Sequence, residues 1–373
     1  SQKNTCVFMK IMHIGQLIGG LDVYIRNSVA YLNDEFIDFV IIHGKDDKSR
    51  PVIRNNNIVK EYTVSLSRSL NFWKDLLCLI QVIKLIVKER PDKIHCHSAK
   101  GGMIGRVAGL LTQTKTFYTP HAFSFLSSSS KLKYKIFLFL ERITRFNSYL
   151  LACSESERQM GIKLVGYKEE RALVWHNSVP DASWKHGKIE VTKEHFISYI
   201  GRPCYQKNPF FLLDVIRKVM EVDSSIKFYL LGVGYHSPYL EEMQKRISEL
   251  HIEDNIILQP WLLHDDCLEY VRKSMFYLTV SLYEGLPLSV IEAMSLGKAV
   301  VASDVTGNKD CVINGVNGYL LPFDADVFAQ KILELLKNED RRKTFEINSR
   351  KIYLSKFQIE KQIFMLQTIY RRS

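Results

Sequence analysis

The feature that most constrains this chain is an alternation of short β-rich runs with amphipathic helical stretches, which begins near the N-terminus and begins again after Lys185. In the first half Val7 to Gly15, Phe39 to Gly44, Lys93 to His97 and Thr116 to Thr119 read as strands. Leu21 to Leu32, Asn71 to Glu89 and Gly102 to Leu111 read as helices. In the second half, strands at His195 to Gly201, Lys227 to Gly232 and Asn255 to Gln259 alternate with helices at Pro209 to Val222 and Pro238 to Leu250. Strands separated by helices do not pair as hairpins; they build parallel sheets with helices on both faces. A chain of 373 residues exceeds one ordinary core. The expectation is therefore two α/β domains, 1–185 and 190–350, joined in the polar stretch Ser183 to Val191, followed by one long amphipathic segment, Lys351 to Arg372.

In such sheets ligands sit beyond the carboxyl ends of the strands, so the strand-end loops are where chemistry is sought. The most informative runs from Ser281 to Val301. Phe276 to Val280 reads as a buried strand, and Pro287, whose missing N–H would lack a partner at a helix start anyway, opens a helix near Leu288. Amides at Leu288, Ser289 and Val290 then precede the first intrahelical bond and, with the positive end of the helix dipole, suit an anion such as a diphosphate. Glu292, one turn in, can accept hydrogen bonds from a vicinal diol such as a ribose, and Glu284 from the hydroxyls of a sugar. Taken alone, the pair reads more simply as a first-turn acid and a solvated one.

The surrounding letters decide otherwise. Glu284 and Glu292 with seven residues between them, Ala293-Met-Ser-x-Gly297-x-x-Val-Val, Gly307 and Gly315-Val-Asn-Gly318-Tyr-Leu resemble the signature block of the retaining glycosyltransferases of family four. That family has the GT-B fold, so the resemblance implies two Rossmann-like domains with parallel sheets facing a central cleft, and a final helix that crosses back to the first domain.

Other strand ends can be matched to the same pattern. Gly201-Arg202, with Lys207 after it, combines a planar fork of donors with a point charge, and resembles the family's diphosphate clamp. Gly232 in Gly232-Val-Gly234 could let backbone lie against a nucleobase, although a plain turn explains it equally well, and Trp261-Leu262 falls where the family holds the base; Gly285 and Leu286 complete the loop before the helix. Gly19-Gly20 resembles the family's glycine loop near the phosphates and acceptor. His121, in Tyr118-Thr-Pro-His-Ala-Phe, stands where the family places a histidine beside the donor sugar, although a lone histidine is more often structural. Asn177 resembles an Asn-Gly motif in which Ser178 replaces the glycine.

Charge and composition narrow the partners. Residues 1–190 carry 28 Lys and Arg against 17 Asp and Glu, and residues 191–373 carry 23 of each, so the whole net charge of +11 belongs to the first half. That imbalance points to an anionic partner, a membrane surface or a nucleic acid. Lys131-Leu-Lys-Tyr-Lys-Ile-Phe-Leu-Phe-Leu-Glu-Arg142 mixes cations with large apolar residues and fits either an interfacial helix or a core helix with solvated lysines; the charge imbalance favours the membrane. No nucleic-acid-binding module accompanies it. Seven scattered cysteines without a C-x-x-C pair fit a reducing cytosol. The longest apolar stretch, Leu76 to Val87, is broken by Gln81 and Lys84, so neither a spanning helix nor a signal peptide is expected.

No metal site is expected. His95-x-His97 lacks a third ligand at metal spacing, and Asp324-Ala-Asp326 opens the helix Val327 to Leu336, where a capping role suffices. The resemblance thus implies a retaining, metal-independent hexosyltransferase with no cofactor beyond its nucleotide-sugar cosubstrate. A UDP-sugar is expected because most relatives use one, an N-acetylhexosamine among the candidates. The acceptor implied is a polyprenyl-diphosphate-linked saccharide of capsule, exopolysaccharide or O-antigen synthesis, met on the inner face of the cytoplasmic membrane. The rival readings are another GT-B sugar-nucleotide enzyme, inverting or epimerising, and a basic binding protein without catalysis.

Overall fold

The computed structural model describes residues 8–45, 50–67, 71–187, 195–233, 237–260 and 262–372. The chain forms two compact units, residues 1–177 together with 359–373, and residues 178–358.

In the first unit seven parallel strands line up in the order β5-β2-β1-β6-β7-β8-β9. They are β1 (Met9–Ile14), β2 (Ile37–Gly44), β5 (Lys60–Val64), β6 (Lys93–His97), β7 (Lys115–Thr119), β8 (Tyr149–Ala152) and β9 (Ala172–Val174); a small antiparallel ladder, β3 (Ile53–Arg54) with β4 (Asn57–Ile58), lies apart. Side chains alternate across the sheet, as a strand's period of two requires. Met12, Ile14, Val40 and Ile42 pack against α2 (Phe72–Glu89), α3 (Ala99–Leu111) and α4 (Lys131–Ile143), whereas Ile11, Phe39 and Ile41 pack against α1 (Gly20–Tyr31) and α13 (Ile359–Arg372). A short α5 (Glu155–Met160) follows β8.

The second unit repeats the plan with six parallel strands, β12-β11-β10-β13-β14-β15. These are β10 (Phe196–Ile200), β11 (Lys227–Leu231), β12 (Ile256–Leu258), β13 (Tyr277–Thr279), β14 (Val300–Ser303) and β15 (Gly318–Leu321). Around them run α6 (Pro209–Met220), α7 (Leu240–Glu249), α8 (His264–Lys273), α9 (Leu288–Ser295), α10 (Asn308–Cys311), α11 (Ala325–Lys337) and α12 (Glu339–Lys356). Ile197, Phe228, Leu230, Leu278 and Val301 make its core with the apolar faces of α6, α7 and α11. Asp324 caps α11, its carboxylate accepting from the Asp326 and Val327 amides at 3.0 and 3.2 Å.

Each sheet reverses its strand order once. In the first unit the chain moves outward from β1 to one side and returns through β6 to the other, and in the second the reversal lies between β10 and β13. These two switch points are where open α/β sheets leave a crevice at their carboxyl edge.

Two sequence expectations differ from the structure. The units change over at Asn177/Ser178, not near residue 185, because the segment after Ser178 is bonded to the second unit: Arg350 pairs with Asp181 at 2.8 Å and Arg272 caps the Ala182 and Ser183 carbonyls at 3.0 Å. The segment Lys351 to Arg372 is also not one helix. It breaks at Phe357, whose carbonyl accepts the Val179 amide at 3.0 Å. Beyond the break Ile359, Ile363, Leu366 and Tyr370 are buried in the first unit, and Trp175 donates to the Gln362 carbonyl at 2.9 Å. No helix among the described residues is long and apolar enough to cross a membrane.

Candidate functional site

The switch point of the second unit gathers most of the predicted residues. Gly201 and Arg202 follow β10, Gly232 follows β11, Leu262 lies between β12 and α8, and Glu284, Gly285 and Leu286 fill the loop between β13 and α9. Trp261 and Gly234 lie outside the described residues.

At its centre the Lys207 ammonium meets Glu284 Oε1 at 2.6 Å, and the Gln206 amide donates to Glu284 Oε2 at 3.0 Å and to the Tyr283 carbonyl at 3.1 Å. Glu284 is buried, so a carboxylate here is tolerable only because a cation and an amide satisfy both of its oxygens. Its loop is held from behind: the Glu284 amide donates to Thr306 at 3.1 Å, and at Gly307, with φ +85°, an added Cβ would stand 2.8 Å from that of Glu284. Only glycine serves there without strain. Arg202, half-buried, has no hydrogen bond or ion pair among the described residues.

The helix start behaves as its sequence requires. Pro287 is the N-cap, no side chain caps the helix, and the first intrahelical bond runs from the Ile291 amide to the Pro287 carbonyl at 3.2 Å. The amides of Leu288, Ser289 and Val290 lie ahead of it. Glu292 is buried one turn later and accepts from His264 Nε2 at 2.7 Å. That hydrogen bond, and the charge behind it, raise the His264 pKa above its ordinary value. The sequence reading missed His264 and Gln206. Gln206 is flagged only by adjacency to Lys207, whereas nothing local marks His264, which meets Glu292 through the packing of α8 on α9.

At the switch point of the first unit, Gly19 caps α1 and Gly20 is its first residue. Beside them a cavity of about 160 Å³ is lined by Gln16, Ile18, Leu21, His97, Ser98 and Lys100, residues that follow β1 and end β6. Behind it lies a cluster of histidines that the sequence left incomplete. His13 on β1 pairs in register with His95 on β6, so His13, His95 and His97 bring ring nitrogens within 4.8 Å of one another, all fully buried. The missing third histidine sits more than eighty residues upstream, invisible to local spacing.

All of those nitrogens but His13 Nε2 already have partners among the described residues. His95 Nε2 lies 2.7 Å from Thr119 Oγ1, whose own proton goes to the Leu151 carbonyl at 2.7 Å, so His95 must donate there and accept the Tyr370 hydroxyl at Nδ1, 2.6 Å away. His97 bonds His13 through Nε2 at 2.9 Å and His121 through Nδ1 at 3.1 Å. A metal would have to displace these bonds. His121 itself sits in a left-handed turn, φ +52°, followed by Ala122 at +75°, and buried Glu157 ties that turn to β8 by accepting from the Ala122 and Cys153 amides, each at 2.8 Å. Burial pushes the imidazoles of His13 and His121 down to about 3.

Comparison with known proteins adds to this geometry. Residues 182–352 match the family described as Glycosyl transferases group 1, and residues 18–183 match Glycosyltransferase Family 4. An Escherichia coli UDP-Gal:alpha-D-GlcNAc-diphosphoundecaprenol alpha-1,3-galactosyltransferase is 24% identical over 99% of this chain and 98% of its own length. The capsular polysaccharide biosynthesis glycosyltransferase CapM of Staphylococcus aureus is 24% identical over 93% of each chain. Among solved structures, sucrose-phosphate synthase from Thermosynechococcus elongatus shares the fold with a TM-score of 0.82, at 18% identity over 98% of both chains.

Proposed function

The chain belongs to glycosyltransferase family four, with the GT-B fold, and from that premise we propose that it transfers a sugar with retention from a UDP-sugar to a hydroxyl of a polyprenyl-diphosphate-linked saccharide, in the synthesis of a bacterial surface polysaccharide. The observation that carries the donor half is the charged switch point of the second unit: Lys207 held at 2.6 Å on Glu284, an Arg202 without hydrogen bond or ion pair among the described residues, and the amides at the start of α9 that precede its first intrahelical bond. UDP and a lipid-linked acceptor are favoured by the E. coli relative, whose name specifies both.

The bond from the anomeric carbon to the diphosphate breaks while the acceptor oxygen bonds to that carbon on the same face, and the acceptor's proton passes to the departing phosphate oxygen. No side chain then has to act as nucleophile. Arg202, Lys207 and the α9 amides stabilise the charge that develops on the diphosphate, which is where fixed donors lower a barrier most. Glu284 takes hydroxyls of the donor sugar. Glu292, steadied by His264, takes the ribose diol. No divalent cation enters this reading, so chelation should leave transfer unchanged. The test is incubation with UDP-hexoses and UDP-N-acetylhexosamines and a lipid-linked acceptor, with the product anomer read by NMR: an inverted product would overturn retention, and loss of transfer on chelation, restored only by Mg²⁺ or Mn²⁺, would overturn metal independence.

Contact with an anionic membrane surface, on its cytoplasmic side, belongs to the same proposal. On α4 Leu132, Ile136, Phe139 and Ile143 form a solvent-facing stripe beside Lys131, Lys133 and Lys135, and α2 exposes Phe72, Trp73 and Leu77. Apolar stripes flanked by lysines suit an anionic lipid surface, each cation adding about 1 kcal/mol. Binding to nucleic acid is not part of this reading. Sedimentation with phosphatidylglycerol vesicles at low salt tests the contact, and a protein left in the supernatant would refute it.

A further inference from the structure

We infer that His97 is a positioning residue for His121: with His13 and Cys153 the two rings form one directed chain of hydrogen bonds that decides which nitrogen of His121 carries its proton. The bearing of this on turnover rests on the family reading of His121; the chain itself stands on the geometry.

The direction follows from the His13 end. Its Nε2 is buried and without a hydrogen-bond partner among the described residues, and an orphaned N–H there would cost more than a bare lone pair, so the His13 proton sits on Nδ1. His13 therefore donates from Nδ1 to His97 Nε2 at 2.9 Å. His97 in turn donates from Nδ1 to His121 Nε2 at 3.1 Å. The chain ends with His121 donating from Nδ1 to Cys153 Sγ, 3.6 Å away.

Each ring in this order carries one proton and uses it. An added proton on His97 or His121 would set two N–H groups against each other, so the chain holds these rings neutral. The other titratable groups facing it are His95, Tyr370, Glu157 and Tyr24, whose ring stands 4.8 Å from that of His121. Burial alone presses His13 and His121 down to about 3; burial first, and then the neighbouring His95, His13 and His121, hold His97 well below its ordinary value. Both ring nitrogens of His121 face inward. What this residue offers a ligand is therefore its ring edge and the main chain of its left-handed turn, not a titrating imidazole. His97, which also lines the cavity beside Gly19 and Gly20, carries that constraint to the wall of the site.

The test uses the full chain labelled with ¹⁵N-histidine and read by two-bond proton–nitrogen correlation spectra from pH 5 to 8, without donor. His121 is expected as the Nδ1–H tautomer and not to titrate. In His97→Phe, which keeps a ring but removes both nitrogens, His121 should lose its single tautomer or begin to titrate; His97→Gln, with one donor and one acceptor, should restore it. In donor assays His97→Phe should lower kcat about tenfold while the donor KM moves less than about twofold, as expected of lost orientation and not lost binding. An Nε2–H tautomer, or titration near 6.5 in the unaltered protein, overturns the inference, as does an unchanged His121 in His97→Phe. If His97→Phe fails to fold, the unaltered protein's tautomer and the His97→Gln spectra still decide. Because the spectra need no donor, they separate this inference from the proposed reaction, whose own failure would show as absent transfer with the tautomer intact.

Discussion

The two switch points share a topology and differ in chemistry. In the second unit the strand ends carry charge: Lys207 on Glu284, His264 on Glu292, Arg202 without an ion pair among the described residues, and a helix start that no side chain caps. In the first unit the corresponding strand ends carry neutral rings, His13, His97 and His121, bonded to one another and drained of charge by burial. A parallel sheet thus supplies a place for a ligand without dictating its electrostatics. On the proposed function the second site meets an anion. The first is built to hold a shape.

The strongest challenge to that contrast is Lys207→Ala. It removes the cation beside a buried carboxylate and a donor to the leaving diphosphate, so kcat should fall about 10²- to 10³-fold in donor assays. A loss below about threefold would mean that the charge is structural only. Gly307→Ala comes next. Its Cβ meets Glu284 in a backbone with φ +85°, so stability should drop by about 1–3 kcal/mol in urea unfolding, with Glu284 displaced and turnover reduced; unchanged stability would show the loop to be looser than drawn.

The smallest effect concerns pH. The pKa of His264 is raised in the folded chain by Glu292. Such a group contributes stability that is complete below its unfolded value near 6.5 and is lost as pH rises through the folded one. The melting-temperature gap between the unaltered protein and His264→Gln should therefore shrink between pH 6 and pH 8.5. Because His264 is half exposed, the gap should amount to a few degrees at most, about the reach of a partly solvated ion pair. A gap that widens with pH would reverse the assigned sign. No comparable titration is expected from the rings of the first unit, and one found there would erase the contrast.

Much of the candidate site of the second unit was legible in the sequence because it is local. Pro287, Glu284, Glu292 and Gly307 lie on one strand-turn-helix segment, where spacing and helix-start chemistry already restrict what each can do. Arg202 and Lys207 were legible for the same reason at the end of β10. The partners were not. Gln206 and His264 reach the two glutamates across 78 and 28 residues, and His13 reaches His97 across 84, distances over which no periodicity carries information. The long C-terminal segment shows the same limit: its amphipathic pattern runs through Phe357, and only the bond from Val179 to the Phe357 carbonyl ends the helix there.

By itself the sequence determined the alternation of strands and helices, hence two parallel sheets, and the local chemistry of each strand end, since both follow from side-chain period and backbone sterics over a few residues. The tertiary structure decided which strand ends meet at a switch point, which acids find cations, and that three distant histidines share one buried chain. Strand order and desolvation are properties of the packed molecule, and they convert residues of ordinary character into a charged site in one unit and a neutral one in the other.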